Sequence, residues 1–113
     1  MPHIIIEYSE ELFIDVDIQP LLKSIHTSIV NSGLFEESHI KTRAYPFKDF
    51  TYAGQQSPYI HVQARIKSGR TASDKKSLSE GILDSLKPFN THASVMTVEI
   101  IDMDRESYSK HVN

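Results

Sequence analysis

Two periodicities divide this chain. Strict alternation runs through Tyr59–Lys67, where Ile60, Val62, Ala64 and Ile66 share one face, so this stretch predicts a strand with one buried side. His39–Tyr45 alternates too, with Ile40, Thr42 and Ala44 on one face and Lys41, Arg43 and Tyr45 on the other. Ile4-Ile5-Ile6, inside the first nine residues, reads as a buried strand because β-branched side chains suit a packed pleat. Val95–Met103 is apolar on both sides, which predicts a central strand. The second periodicity is helical. Ile18, Leu21, Leu22, Ile25 and Ile29 fall on one face of a helix from about Ile18 to Asn31. Asp17 is placed to cap it, Pro20 lies in its first turn, and Gly33 stops it. A second helix starts after Thr71, where Thr71 and Asp74 approximate a capping box. Its stripe is Leu78, Ile82, Leu83 and Leu86, and Pro88 ends it.

The resulting order is strand, helix, strand, repeated once. It predicts a single α+β domain over 1–113, with halves of about 1–52 and 57–113 that share a layout but no convincing residue repeat. Each half reads as a βαβ unit with parallel partners. Both helices then cover one face of a four-stranded sheet and leave the other open for association with further copies. A ferredoxin-like plait has the same element order, and the pattern alone does not separate the two. Between the halves, Pro46 to Pro58 reads as a loop whose Phe47, Phe50 and Tyr52 either cover a pocket or fold back on the core, the second being the favoured reading. Asp104 to Asn113 reads as a polar tail.

Composition narrows the function. A net charge of -3 provides no general positive field, so nucleic acid is not an expected partner. The third strand also lacks the aromatic signature of an RNA-recognition module. No apolar run approaches the ~20 residues of a membrane span. Glu7, Glu10 and Glu11 follow the isoleucines at once, unlike a secretory leader, and a cytoplasmic protein is expected. With no cysteine there is no disulfide framework or thiolate chemistry. The six histidines show no ligand-like spacing, so no metal site is expected.

The candidate chemistry sits at the start of the chain. Initiator methionine is normally trimmed before a residue as small as proline, which would make Pro2 a free amino terminus anchored to a core strand. An α-amino group titrates near pH ~7.7–8.0, and burial or nearby cations lower that value. Such a group can act as a general base at neutral pH. With Met1 attached, the same nitrogen is a tertiary amide without useful basicity. Arg70 lies between a strand and a helix N-terminus, where cation and free backbone N–H groups both favour an anion. Lys41 and Arg43 project side by side from the second strand.

Pro2-His3-x-Ile-x-Glu7, Gly33-Leu34-Phe35, Ile40-Lys41-Thr42-Arg43 and Gly69-Arg70-Thr71, in this order and spacing, resemble the 5-carboxymethyl-2-hydroxymuconate isomerase family of the tautomerase superfamily. The resemblance implies a duplicated βαβ tautomerase-like fold, a homotrimer, no metal and no cofactor. It implies Pro2 as catalytic base and Arg70 as a binder of substrate carboxylate. It also implies Lys41 and Arg43 as substrate-binding cations, although the family's pattern has arginine where this chain has Lys41. Lysine keeps the charge but loses the two-pronged grip on a carboxylate. The implied substrate is an anionic, unsaturated 2-hydroxy polycarboxylate of aromatic catabolism. A keto–enol tautomerase of a smaller, phenylpyruvate-like acid and a non-catalytic small-molecule binding module are the alternatives.

Overall fold

A computed structural model describes residues 1–89 and 92–113. Four strands, β1 (His3–Ser9), β2 (Lys41–Phe47), β3 (Tyr59–Lys67) and β4 (Val95–Met103), form one sheet in the order β2-β1-β3-β4. Helices α1 (Gln19–Asn31) and α2 (Ala72–Leu86) connect the strands of each half. β1 pairs parallel with β2, β3 pairs parallel with β4, and the two halves join where β1 and β3 run antiparallel. Each strand thus lies beside the strand its own helix leads to. A ferredoxin-like plait splits its βαβ units, so the pairing rules that alternative out.

Register explains the layering. Ile4 and Ile6 of β1 stand opposite Ala64 and Val62 of β3, and all four are fully buried. Ile60 and Ile66 extend the same row, and Leu21, Ile25, Ile29, Leu78, Ile82 and Leu86 cover it from the two helices. A fully buried side chain of this size contributes roughly 1.5–3 kcal/mol of transfer free energy, so this face carries most of the stability. The helix signals act as the sequence suggests. The Asp17 carboxylate accepts from the Gln19 N–H at 3.0 Å, and the Thr71 hydroxyl accepts from the Asp74 N–H at 3.0 Å. Gly33 takes φ +72, the left-handed conformation that ends a helix at low cost.

Three expectations are corrected. β4 is an edge strand, not a central one. Its Met96, Val98 and Ile100 pack on the core, while Val95 and Ile101 lie partly buried on the face without helices. Apolar residues on both faces of an edge strand imitate the signal of a strand buried on both sides. Next, β2 begins after a 3-10 turn at Glu37–His39 and runs on through Pro46 to Phe47. A proline is tolerated there because β2 is the opposite edge. Last, the polar tail folds back across the open face. The Tyr108 hydroxyl meets His3 Nε2 at 3.0 Å, and the Arg105 guanidinium donates twice to the Ser68 carbonyl, at 3.0 and 3.1 Å.

The loop aromatics do fold back. Phe47, Phe50 and Tyr52 gather on Tyr59 with ring centroids 4.9, 5.9 and 6.4 Å away. This cluster lies where β1 and β2 end and β3 and β4 begin, leaving the opposite end of the sheet to polar groups.

Candidate active site

That opposite end, where β1 and β2 begin and β3 and β4 finish, holds the amino terminus. Pro2 is fully buried and its carbonyl accepts from the Lys41 N–H at 3.1 Å, which locks the start of β1 to β2. Met1 is only 7% exposed, and its ammonium donates to the His39 carbonyl at 2.7 Å. The terminus is therefore a fixed group. Burial and then the charges of Lys41, Lys110 and Lys67 push its amine down to about 6, from an ordinary 8.0.

Met1 lines a cleft of about 250 Å³ with Leu34, Phe35, Lys67, Arg70 and Arg105. Local structure places each cation. Lys67 is the last residue of β3 and stands over the Tyr108 ring, 5.4 Å from its centroid. Gly69, at φ +116, turns the chain from β3 toward α2, a conformation a side chain would strain. Arg70 follows it, donates to the Leu34 carbonyl and lies over Phe35 at 5.2 Å. Arg105 reaches in from the tail. Of its five N–H donors two are spent on Ser68, so the remaining three can meet an anion.

A second cleft of about 570 Å³ opens on the other side of His39, lined by Lys41, Tyr108, Lys110 and His111. His39 borders both clefts and accepts from the terminal amine, and lysines from both linings, Lys67 of the first and Lys41 and Lys110 of the second, act on that amine.

The four residues singled out from the sequence fare differently. Arg70 lines the first cleft with Met1, whereas Pro2, next in the chain to Met1, is fully buried and is not part of that lining. Lys41 lies beside the terminus and lines the second cleft. Arg43 shares the strand face of Lys41 but is engaged by His3, whose Nδ1 lies 3.2 Å from the guanidinium. Burial and then Arg43, Lys41, the terminal amine and Arg65 lower the pKa of that imidazole and favour its neutral form. A neutral ring can accept from Arg43 at Nδ1 while its Nε2–H donates to Tyr108. Sequence reasoning missed Lys67, Arg105 and Lys110. Lys67 was within reach, since continuing the alternation of β3 puts it on the open face beside the Gly69 turn. Arg105 and Lys110 carry no periodic signal and enter only through folding of the tail. Among the described residues no group of three or more His, Asp or Glu side chains could hold a metal ion.

A four-stranded mixed sheet with each βαβ half pairing within itself, and two helices on one face, is the tautomerase fold. A 5-carboxymethyl-2-hydroxymuconate isomerase from Deinococcus radiodurans R1 superposes with a TM-score of 0.86 at 20% identity, covering 99% of this chain and 90% of that one. A fused 4-OT described as a wild-type symmetric trimer superposes with a TM-score of 0.84 at 14% identity, covering 96% and 90%. In sequence, the 5-carboxymethyl-2-hydroxymuconate Delta-isomerase of Escherichia coli is 24% identical over 114 residues, 98% of this chain and 88% of that one. Residues 2–113 match the 5-carboxymethyl-2-hydroxymuconate isomerase family. The chain belongs to that family, and its class of activity is isomerase. No helix among the described residues is long and apolar enough to cross a membrane.

Proposed function

We propose that removal of Met1 frees the Pro2 nitrogen as the general base of a cofactor-independent tautomerase. Its substrate is an unsaturated 2-hydroxy polycarboxylate, and 5-carboxymethyl-2-hydroxymuconate, named for the relatives of this chain, is the first to try. The observation that carries this reading is the setting of the terminus. An amine fixed at the start of a core strand, lowered to about 6 by burial and three lysines, borders a cleft that holds Arg70. The Pro2 nitrogen lies one residue inward, at the buried start of β1 whose carbonyl accepts from the Lys41 N–H. Once freed, it is proposed to serve there as a neutral amine.

The neutral amine takes the proton of the 2-hydroxyl. The electron pair moves through the diene as the 2-keto group forms, and the ammonium returns a proton to carbon, so a double bond shifts and no atom is lost. Arg70 grips a carboxylate, and Lys41 with the other cations stabilises the enolate charge that develops between the two transfers. Arg43, which lines neither cleft, is the more remote of the proposed substrate binders. It also sets the tautomer of His3, whose outer nitrogen ties down the tail. The mixed open face is proposed to pair with further copies of the chain, and a neighbour of the same fold is described as a symmetric trimer. One domain in a cytoplasmic setting completes the reading.

The test is ketonisation of 2-hydroxydienoates followed by ultraviolet absorbance, with the amino-terminal peptide checked by mass. Trimmed protein should turn over substrate and Met1-bearing protein should not. Trimmed protein inert toward every 2-hydroxydienoate tried would defeat the reading.

A further inference from the structure

We propose that the tail, Asp104 to Asn113, is the specificity element of this site. Arg105 and Lys110 each hold one outlying carboxylate of the substrate, in separate clefts, so that its reacting carbons lie across the amino terminus. The inference rests on the terminus being the reacting group.

Its basis is how the tail is built. A turn closed by the Ser107 N–H on the Asp104 carboxylate, 3.2 Å, starts it. Tyr108 then anchors it between His3 and Lys67. These ties deliver one cation to each side of the terminus: Arg105 lines the first cleft and Lys110 the second. Arg105 is pinned by two bonds to a backbone carbonyl, and the ideal Cβ position at Gly69 lies 3.6 Å from its Nη2. The guanidinium thus lies along the β3–α2 turn, next in the chain to Arg70. Arg70 and Arg105 both line the first cleft, and each guanidinium offers a fork that fits a carboxylate. Glu36, an acid on the lining of the first cleft, is turned toward His39, with its oxygen 3.6 Å from Nε2. The second cleft carries Lys41 as well as Lys110. A monocarboxylate can satisfy one cleft only, whereas a chain with a carboxylate at each end satisfies both. The tail therefore reads how many carboxylates a substrate has and how far apart they stand.

Non-reacting probes test this without turnover. Tricarballylate, glutarate and butyrate are titrated calorimetrically into the trimmed protein and its Pro2→Ala, Arg105→Gln, Arg105→Lys and Lys110→Gln variants. Loss of one charge-assisted contact should weaken tricarballylate about tenfold in Arg105→Gln and in Lys110→Gln. Butyrate should be weakened by at most one of the two. Arg105→Lys, which keeps the charge but loses the fork and the pair of hydrogen bonds to Ser68, should recover part of the affinity lost in Arg105→Gln. Equal weakening of all three acids by each variant, or failure of Arg105→Lys to rescue, would assign the tail a structural role and overturn the proposal. So would tricarballylate affinity indifferent to both residues. Pro2→Ala that binds tricarballylate with the same dependence on Arg105 and Lys110, yet turns substrate over more slowly than the parent, supports the tail's role independently of the base assignment.

Discussion

The two faces of this sheet are built from alternate residues of the same strands, yet they do different work. The face under the helices holds Ile4, Ile6, Ile60, Val62, Ala64 and Ile66, all completely buried. The face without helices holds His3, Lys41, Arg43, Arg65 and Lys67, and the tail crosses it. A strand's period of two lets one sequence write both messages at once, one about folding and one about charge. The comparison teaches that stability and chemistry can be perturbed separately here, because neighbouring residues answer to different surroundings.

The largest expected effect is on the polar side. Trimmed and Met1-bearing protein should differ by at least about 10²–10⁴-fold in turnover, the usual share of a general base. Pro2→Ala should fall between them, since its terminus is still an amine. On the helix side Ile6→Ala should cost about 2–5 kcal/mol, read from the denaturant midpoint, while activity per folded molecule stays near that of the parent. If Ile6→Ala instead lowered kcat at full occupancy of the folded state, the two faces would not be separable. Arg70→Ala comes next, with kcat/KM reduced by one to two powers of ten, about 1.5–3 kcal/mol. A rise in KM alone marks a binder; a matching drop in kcat marks a group that also holds the enolate.

The same contrast explains what could be read from the sequence. β1, β3 and both helices were legible because each has one face in the core, so periodicity and burial agree. β4 was misplaced because Val95 and Ile101 are apolar on the open face, and a single sequence does not say whether a second layer covers them. Pro46 looked like the end of β2 because its tolerance depends on β2 being an edge, which is a property of the whole sheet. At the candidate site, the start of the chain and Arg70 could be singled out by local logic: a terminus on a strand, and a cation at a strand-to-helix turn. Arg105 and Lys110 could not. Their positions follow from Tyr108 docking on His3 and Lys67, and nothing in the spacing of the tail encodes that long-range contact.

The smallest expected effect, and the one that probes the polar side by stability alone, is the pH dependence of Met1-bearing protein. Its terminal amine is held down to about 6 when folded, against 8.0 when exposed. Between these values the unfolded chain binds more protons than the folded one, so stability should rise with pH from about 6 to 8 and level off above. His3, also shifted down, acts in the same sense at the acid end of that window. The hydrogen bond from the ammonium to the His39 carbonyl works against the trend, which keeps it small. Lys41 is the largest of the charges acting on the amine after burial, so Lys41→Gln should flatten the rise. Denaturant midpoints measured across pH 6 to 8 decide it. A midpoint that falls with rising pH, or a slope that Lys41→Gln leaves intact, would mean the lysines do not govern the terminus. In trimmed protein the same substitution should move the acid limb of kcat/KM to higher pH, because a less crowded amine holds its proton longer.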